Sequence, residues 1–118
     1  MSSSKRILIV EDEPLIAMML EDFIESLGHR CSGTADSVDS ALPLVAEDGF
    51  DAAILDINLR AREQCWPVAD ALAEGGKPYL LASGGQAEGF PDRFADAPVL
   101  TKPFTMDGVR AALDALFS

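Results

Sequence analysis

Basic residues are scarce in this chain. Nine lysines and arginines stand against twenty acids, a formal charge of −11 over 118 residues. Affinity for phosphate backbones and anionic lipid comes largely from Lys and Arg, so this balance argues against DNA binding. Long apolar runs are missing as well. The longest span only a few residues, far below the roughly 20 that cross a bilayer. None separates the basic start at Lys5-Arg6 from the acids at 11–13, so neither a membrane span nor a signal peptide is expected and the location expected is cytoplasmic. Cysteine is limited to Cys31 and Cys65, which lack metal-type spacing and are expected to be free, packed thiols. Internal repeats and low-complexity tracts are absent.

What is present is ordinary for a globular protein: 48% hydrophobic and 25% charged residues. The length predicts one domain over 1–118, with residues 1–4 disordered. Residues 5–10 read as a buried strand. Over 14–27 the apolar residues recur at helical spacing, and Gly28 is a natural stop. A weak strand follows at 29–35. Asp36 or Ser37 can cap a second helix running to about 48, in which Pro43 predicts a bend or a late start. A strong strand at 50–56 ends on an acid, a helix is predicted over 61–74, and Gly75-Gly76 closes it. Strands at 78–82 and 98–101 follow, then a helix capped by Thr105. Alternating strands and helices imply a parallel sheet with right-handed crossovers. The segment 84–97, rich in Gly and Pro, predicts an extended or mobile connection with one helical turn at most, near 92–95.

In such sheets ligands sit beyond the carboxyl ends of the strands. Every unusual polar residue falls there. Glu11 and Asp12 follow the first strand, Asp56 ends the third, Ser83 follows the fourth and Lys102 the fifth. If the first and third strands are neighbours, three carboxylates converge, and their repulsion calls for a cation. Oxygen-only ligands suit a hard ion such as Mg²⁺, and with no His or Cys near these ends zinc is disfavoured. The backbone carbonyl of Asn58 is a further candidate ligand. Adding the Lys102 ammonium and the Ser83 hydroxyl makes a site for a phosphoryl group, with a carboxylate as acceptor.

The order of these pieces, ending in Thr101-Lys102-Pro103-Phe104, resembles the receiver domain of two-component response regulators over nearly the whole chain. The resemblance implies a flavodoxin-like doubly wound sheet of five parallel strands in the order 2-1-3-4-5. It also implies that Asp56 accepts a phosphoryl group from a histidine kinase or a histidine phosphotransfer protein. Asp12 and Asp56 would hold Mg²⁺, Glu11 would act through a metal-bound water, Lys102 would pair with the phosphoryl oxygens, and Ser83 would move to meet them. A cis Lys102-Pro103 bond is implied too. The stretch Pro78-Tyr79-Leu80-Leu81-Ala82-Ser83-Gly84-Gly85 looks like the PFxFATG-type sequence of an alphaproteobacterial subgroup, often called FAT GUY, whose fourth helix is reduced. Two departures stand out. Val99 occupies the position where ordinary receivers carry an aromatic switch residue three residues before the lysine, and Arg60 stands where a proline is usual.

Leu15 and Met18 lie off the apolar face of the first helix. With Pro103 and Phe104 they form a candidate docking patch for the helices of a phosphodonor. Glu13, beside Pro14, reads as a helix-start charge. The chain ends one helix after Lys102, which predicts a stand-alone receiver read by protein partners, with oligomeric state open. Two rivals stay in view. A phosphohydrolase using Asp56 as nucleophile would want a second acid two residues on, where Asn58 stands. A pseudo-receiver that binds partners without phosphorylation would usually have lost an acid or the lysine.

Overall fold

Ile7, Leu8, Ile9 and Val10 are buried without alternation, as a strand covered on both faces requires. They form β1 (Arg6–Val10), an interior strand of a parallel sheet completed by β2 (Arg30–Ala35), β3 (Ala52–Asp56), β4 (Tyr79–Ser83) and β5 (Val99–Thr101). The strand order is β2-β1-β3-β4-β5, with all four pairings parallel. This computed structural model describes residues 4–59, 63–84 and 90–117. The readings made at residues 1–3 and at Arg60, and part of the 84–97 connection, lie outside them.

The helices divide between the two faces. Ile7, Ile9, Ile54 and Leu80 point toward α1 (Pro14–Ser26) and α4 (Met106–Phe117), meeting Leu20, Ile24, Val109 and Leu113. Leu8, Val10, Leu55 and Leu81 point the other way, toward α2 (Val38–Glu47) and α3 (Trp66–Glu74), meeting Ala41, Val68 and Leu72. Successive strand residues thus feed opposite cores, as the two-residue strand period dictates. At the end of α1, Gly28 takes φ 91°, and His29 N–H donates to the Ile24 carbonyl at 2.8 Å. That left-handed turn is natural only for glycine. Among the described residues no helix is long and apolar enough to cross a membrane.

Two expectations are adjusted. Pro43 does not delay α2, which starts at Val38 with Pro43 inside it. Ser37 and Ser40 form a capping box at its start, and Pro43 itself is exposed. The third helix begins at Trp66 rather than 61, with a proline in its first turn; the residues before it are engaged elsewhere, as described below. Between β4 and β5 the described residues hold one 3-10 turn, Asp92–Phe94. It is pinned by the buried Phe94 ring stacking on Trp66 (centroids 5.1 Å apart). Arg93 adds a two-pronged bond to Asp70 at 2.8 and 3.0 Å. At the sheet edge β5 is only three residues long, with Pro98 before it and Pro103 shortly after.

Candidate functional site

The register of the sheet assembles the site. β1 and β3 are hydrogen-bonded neighbours, so Glu11 and Asp12, just past β1, meet Asp56 at the end of β3. One carboxylate oxygen from each of the three lies within 4.8 Å of the others. From the other side, β4 and β5 pair with Ser83 opposite Thr101, and Lys102 N–H donates to the Ser83 carbonyl at 2.8 Å. This brings the Lys102 ammonium to Asp56, where Nζ donates to Oδ2 at 3.1 Å. Ser83 itself is buried at the end of β4. The five residues singled out from the sequence therefore share the carboxyl edge of four strands. The peptide bond from Lys102 to Pro103 is cis.

The electrostatics of the cluster are unbalanced. Glu11 and Asp56 are buried and Asp12 is half-exposed. Glu11 Oε2 accepts from Glu13 N–H at 3.2 Å. Its Oε1 has no hydrogen-bond partner among the described residues, and Lys102 Nζ stands 3.7 Å from it. Burial first, then a hydrogen bond and repulsion from Asp56, push the Glu11 carboxyl up to about 8. Burial alone would lower Lys102. Its bond to Asp56 and the charges of Asp56 and Glu11 outweigh that and hold it above the usual lysine range. Among the described residues one lysine thus contacts two of the three clustered acids. An orphaned buried carboxylate oxygen within an all-oxygen cluster fits a hard divalent cation. A cavity of ≈ 310 Å³ opens beside Glu11 and Asp12, lined also by Thr34, Asp36 and Ser40. A larger one, ≈ 590 Å³, lies at the opposite end of the sheet between Lys5, His29 and Phe117. It holds none of these residues, so size does not mark the site.

The backbone after Asp56 has a shape that the sequence did not announce. Asn58 and Gln64 form an antiparallel bridge. Leu59 N–H donates to the Glu63 carbonyl at 2.7 Å, and Cys65 N–H to the Ile57 carbonyl at 3.0 Å. In this pattern Asn58 and Gln64 are the non-hydrogen-bonded pair, so their own amides and carbonyls point away from each other. Asn58 N–H instead donates to Asp56 Oδ1 at 3.3 Å. The amide and carbonyl of an extended residue face the same side, so the Asn58 carbonyl faces the side of the Asp56 carboxylate. Glu63 Oε1 in turn accepts from the Val38 N–H at 2.8 Å. Sequence reading singled out neither Glu63 nor Gln64, because nothing local marks a bond across 25 positions.

The remaining candidates divide. Leu15 (78%) and Met18 (59%) are the most exposed large apolar side chains among the described residues, and Pro103 is also exposed. Phe104, expected on the same patch, is instead 7% exposed and packs with Leu100, Val109 and Leu113. Burying that ring in the core outweighs anything its neighbour Pro103 offers on the surface. Both cysteines are free. Burial, then the charge of Asp56, pushes the Cys65 thiol up to about 12, which leaves it inert.

Comparison with known proteins gives a consistent picture. The family model for the response regulator receiver domain matches residues 7–63. Over 100% of both chains, this sequence is 57% identical to SdrG from Sphingomonas melonis Fr1, with a TM-score of 0.87 to its solution structure. The TM-score is 0.84 to the BeF3-activated conformation of SdrG from Pseudomonas melonis Fr1. The phyllosphere-induced regulator PhyR of Methylorubrum extorquens is 35% identical over 120 residues, covering 94% of this chain and 43% of PhyR. The chain spans less than half the length of the curated relatives it matches first.

Proposed function

The chain belongs to the response regulator receiver family of two-component signalling, and from that premise we propose that Asp56 accepts a phosphoryl group from a phosphohistidine on a histidine kinase or phosphotransfer protein. A carboxylate oxygen of Asp56 attacks phosphorus and the bond from phosphorus to the donor nitrogen breaks. The departing imidazole keeps that electron pair, and Asp56 is left as an acyl phosphate. The observation that carries this reading is the Lys102 ammonium 3.1 Å from Asp56, at an edge where two further acids crowd the same carboxylate.

Asp12, Asp56 and the Asn58 carbonyl would hold Mg²⁺, with Glu11 acting through a bound water. When bound, the ion neutralises charge on the phosphoryl oxygens. Lys102 does the same from the β5 side, and the Ser83 hydroxyl donates to a phosphoryl oxygen once it is in place. Leu15, Met18 and Pro103 offer an apolar docking face to the donor, and protein partners read the phosphorylated state. The BeF3-activated conformation of SdrG supports this reading, because beryllofluoride mimics a phosphoryl group on a carboxylate.

The test is incubation with acetyl phosphate, with and without Mg²⁺, followed by intact mass. Wild type is expected to gain one phosphoryl group only with Mg²⁺, and Asp56→Asn none. Absence of labelling from both acetyl phosphate and a purified histidine kinase would overturn the proposal in favour of partner binding without phosphorylation.

A further inference from the structure

The bond from Glu63 to α2 has no role in the chemistry just described, yet it ends on the loop that carries the phosphoacceptor. The described parts of that loop are two short antiparallel arms, 57–59 and 63–65, joined by the Leu59-to-Glu63 and Cys65-to-Ile57 bonds. The outgoing arm follows Asp56 directly. The returning arm is fixed at two places. At one, the Cys65 side chain is fully buried and leads into α3. At the other, the Glu63 carboxylate takes the first N–H of α2, at Val38. That amide is one of the four that a helix start leaves unpaired, and an acid there also suits the positive end of the helix.

Register is what this fixation controls. With the observed pairing Asn58 is a non-hydrogen-bonded partner of Gln64, so its N–H is free to reach Asp56 Oδ1 and its carbonyl faces the same side. A slip of one residue must turn one arm over, and where the outgoing arm turns, the Asn58 carbonyl swings into the ladder and away from the acids. Among the described residues two backbone bonds join the arms, and beyond the buried Cys65 the Glu63 bond is the further tie on the returning arm. We propose that Glu63 is a positioning residue for the phosphoacceptor site: its bond to the α2 amide locks the loop so that the Asn58 carbonyl stays on the Asp56 side. The inference rests on the reading of that site as a Mg²⁺-dependent phosphoacceptor.

Trp66 supplies the signal for a test, since its indole N–H donates to Gln64 Oε1 at 3.2 Å and so reports on the returning arm. Mg²⁺ is titrated into wild type, Glu63→Ala, Glu63→Gln and Val38→Pro while Trp66 fluorescence is followed. Amide exchange of Leu59 and Cys65 is measured without metal. Glu63→Ala is expected to lose about tenfold in Mg²⁺ affinity, the scale of losing a partner that orients a ligand, and to exchange both amides faster. Glu63→Gln keeps the accepting oxygen and should stay within about twofold of wild type. Val38→Pro removes the donor, at a helix position that favours proline, and also replaces a side chain buried in the core. It should match Glu63→Ala and tests the same bond should that variant fail to fold. Affinity and exchange unchanged in Glu63→Ala or in Val38→Pro would overturn the proposal. So would a Glu63→Gln as weak as Glu63→Ala, which would make charge alone the cause. Wild type that does not bind Mg²⁺ removes the underlying reading of the site, a result distinct from wild-type binding that Glu63→Ala leaves intact.

Discussion

β1 and β3 lie side by side, yet their two ends treat charge in opposite ways. At the amino ends acids and bases are matched. Arg6 pairs with Asp51 through both backbone and guanidinium, which holds the Asp51 carboxyl below its usual range. Nearby, Lys77 binds Asp48 and donates to the Phe50 carbonyl at 2.8 Å. At the carboxyl ends, among the described residues, three acids cluster around one lysine that pairs with two of them, and one buried oxygen has no hydrogen-bond partner. The first arrangement asks nothing of its surroundings. The second leaves an excess of negative charge at that edge, which a divalent cation would offset.

That contrast is open to direct attack. The largest effect is expected at Glu11. Its carboxyl binds a proton more tightly folded than unfolded, so the metal-free protein should lose stability as pH rises from the ordinary range near 4.5 toward about 8, and level off above. The displacement corresponds to at most about 5 kcal/mol. Glu11→Gln should therefore be more stable than wild type at pH 8.5, by up to about 5 kcal/mol, and equal to it near pH 4.5. Urea denaturation without metal measures this, and a difference that ignored pH would remove the explanation. Next comes Lys102→Met, which leaves two buried acids without their cation and should cost about 2 kcal/mol at neutral pH. Mg²⁺ should then stabilise the variant more than it does wild type; an equal response would mean the lysine does not compete for the site. At the matched end, Lys77→Met should cost about 1 kcal/mol, the same with or without Mg²⁺. Smallest is Arg6→Ala, whose ion pair is largely exposed and should be worth less than about 1 kcal/mol in a melt. A larger loss there than at Lys102 would reverse the comparison.

Much of this was legible in the residues. Apolar runs that stop on an acid or hydroxyl, as at Val10, Asp56 and Ser83, gave both the strands and the edge that bears the site. The poor helix signal after Ser83 matched the one turn, Asp92–Phe94, that the described residues hold there. The misreadings share a cause. The third helix starts late because residues 63–65 are committed to backbone pairing with 57–59, a bond pattern with no local signature. Phe104 looked like surface because its neighbour is, but its burial is decided by Leu100, Val109 and Leu113. Pro43 should weaken a helix, yet α2 runs through it with both the Ser37–Ser40 box and the Glu63 carboxylate engaging its first turn.

One feature of the sheet margin bears on how such a protein survives at high concentration. An open parallel sheet ends in strands whose outer amides and carbonyls invite another chain to add on. Here β5 offers only three residues, bracketed by Pro98 and Pro103, neither of which carries an amide hydrogen to share. Its half-exposed Val99 can meet a partner side on, but intermolecular strand addition along that margin has almost no template. What this edge offers another chain is therefore mainly side chains rather than a row of free backbone groups.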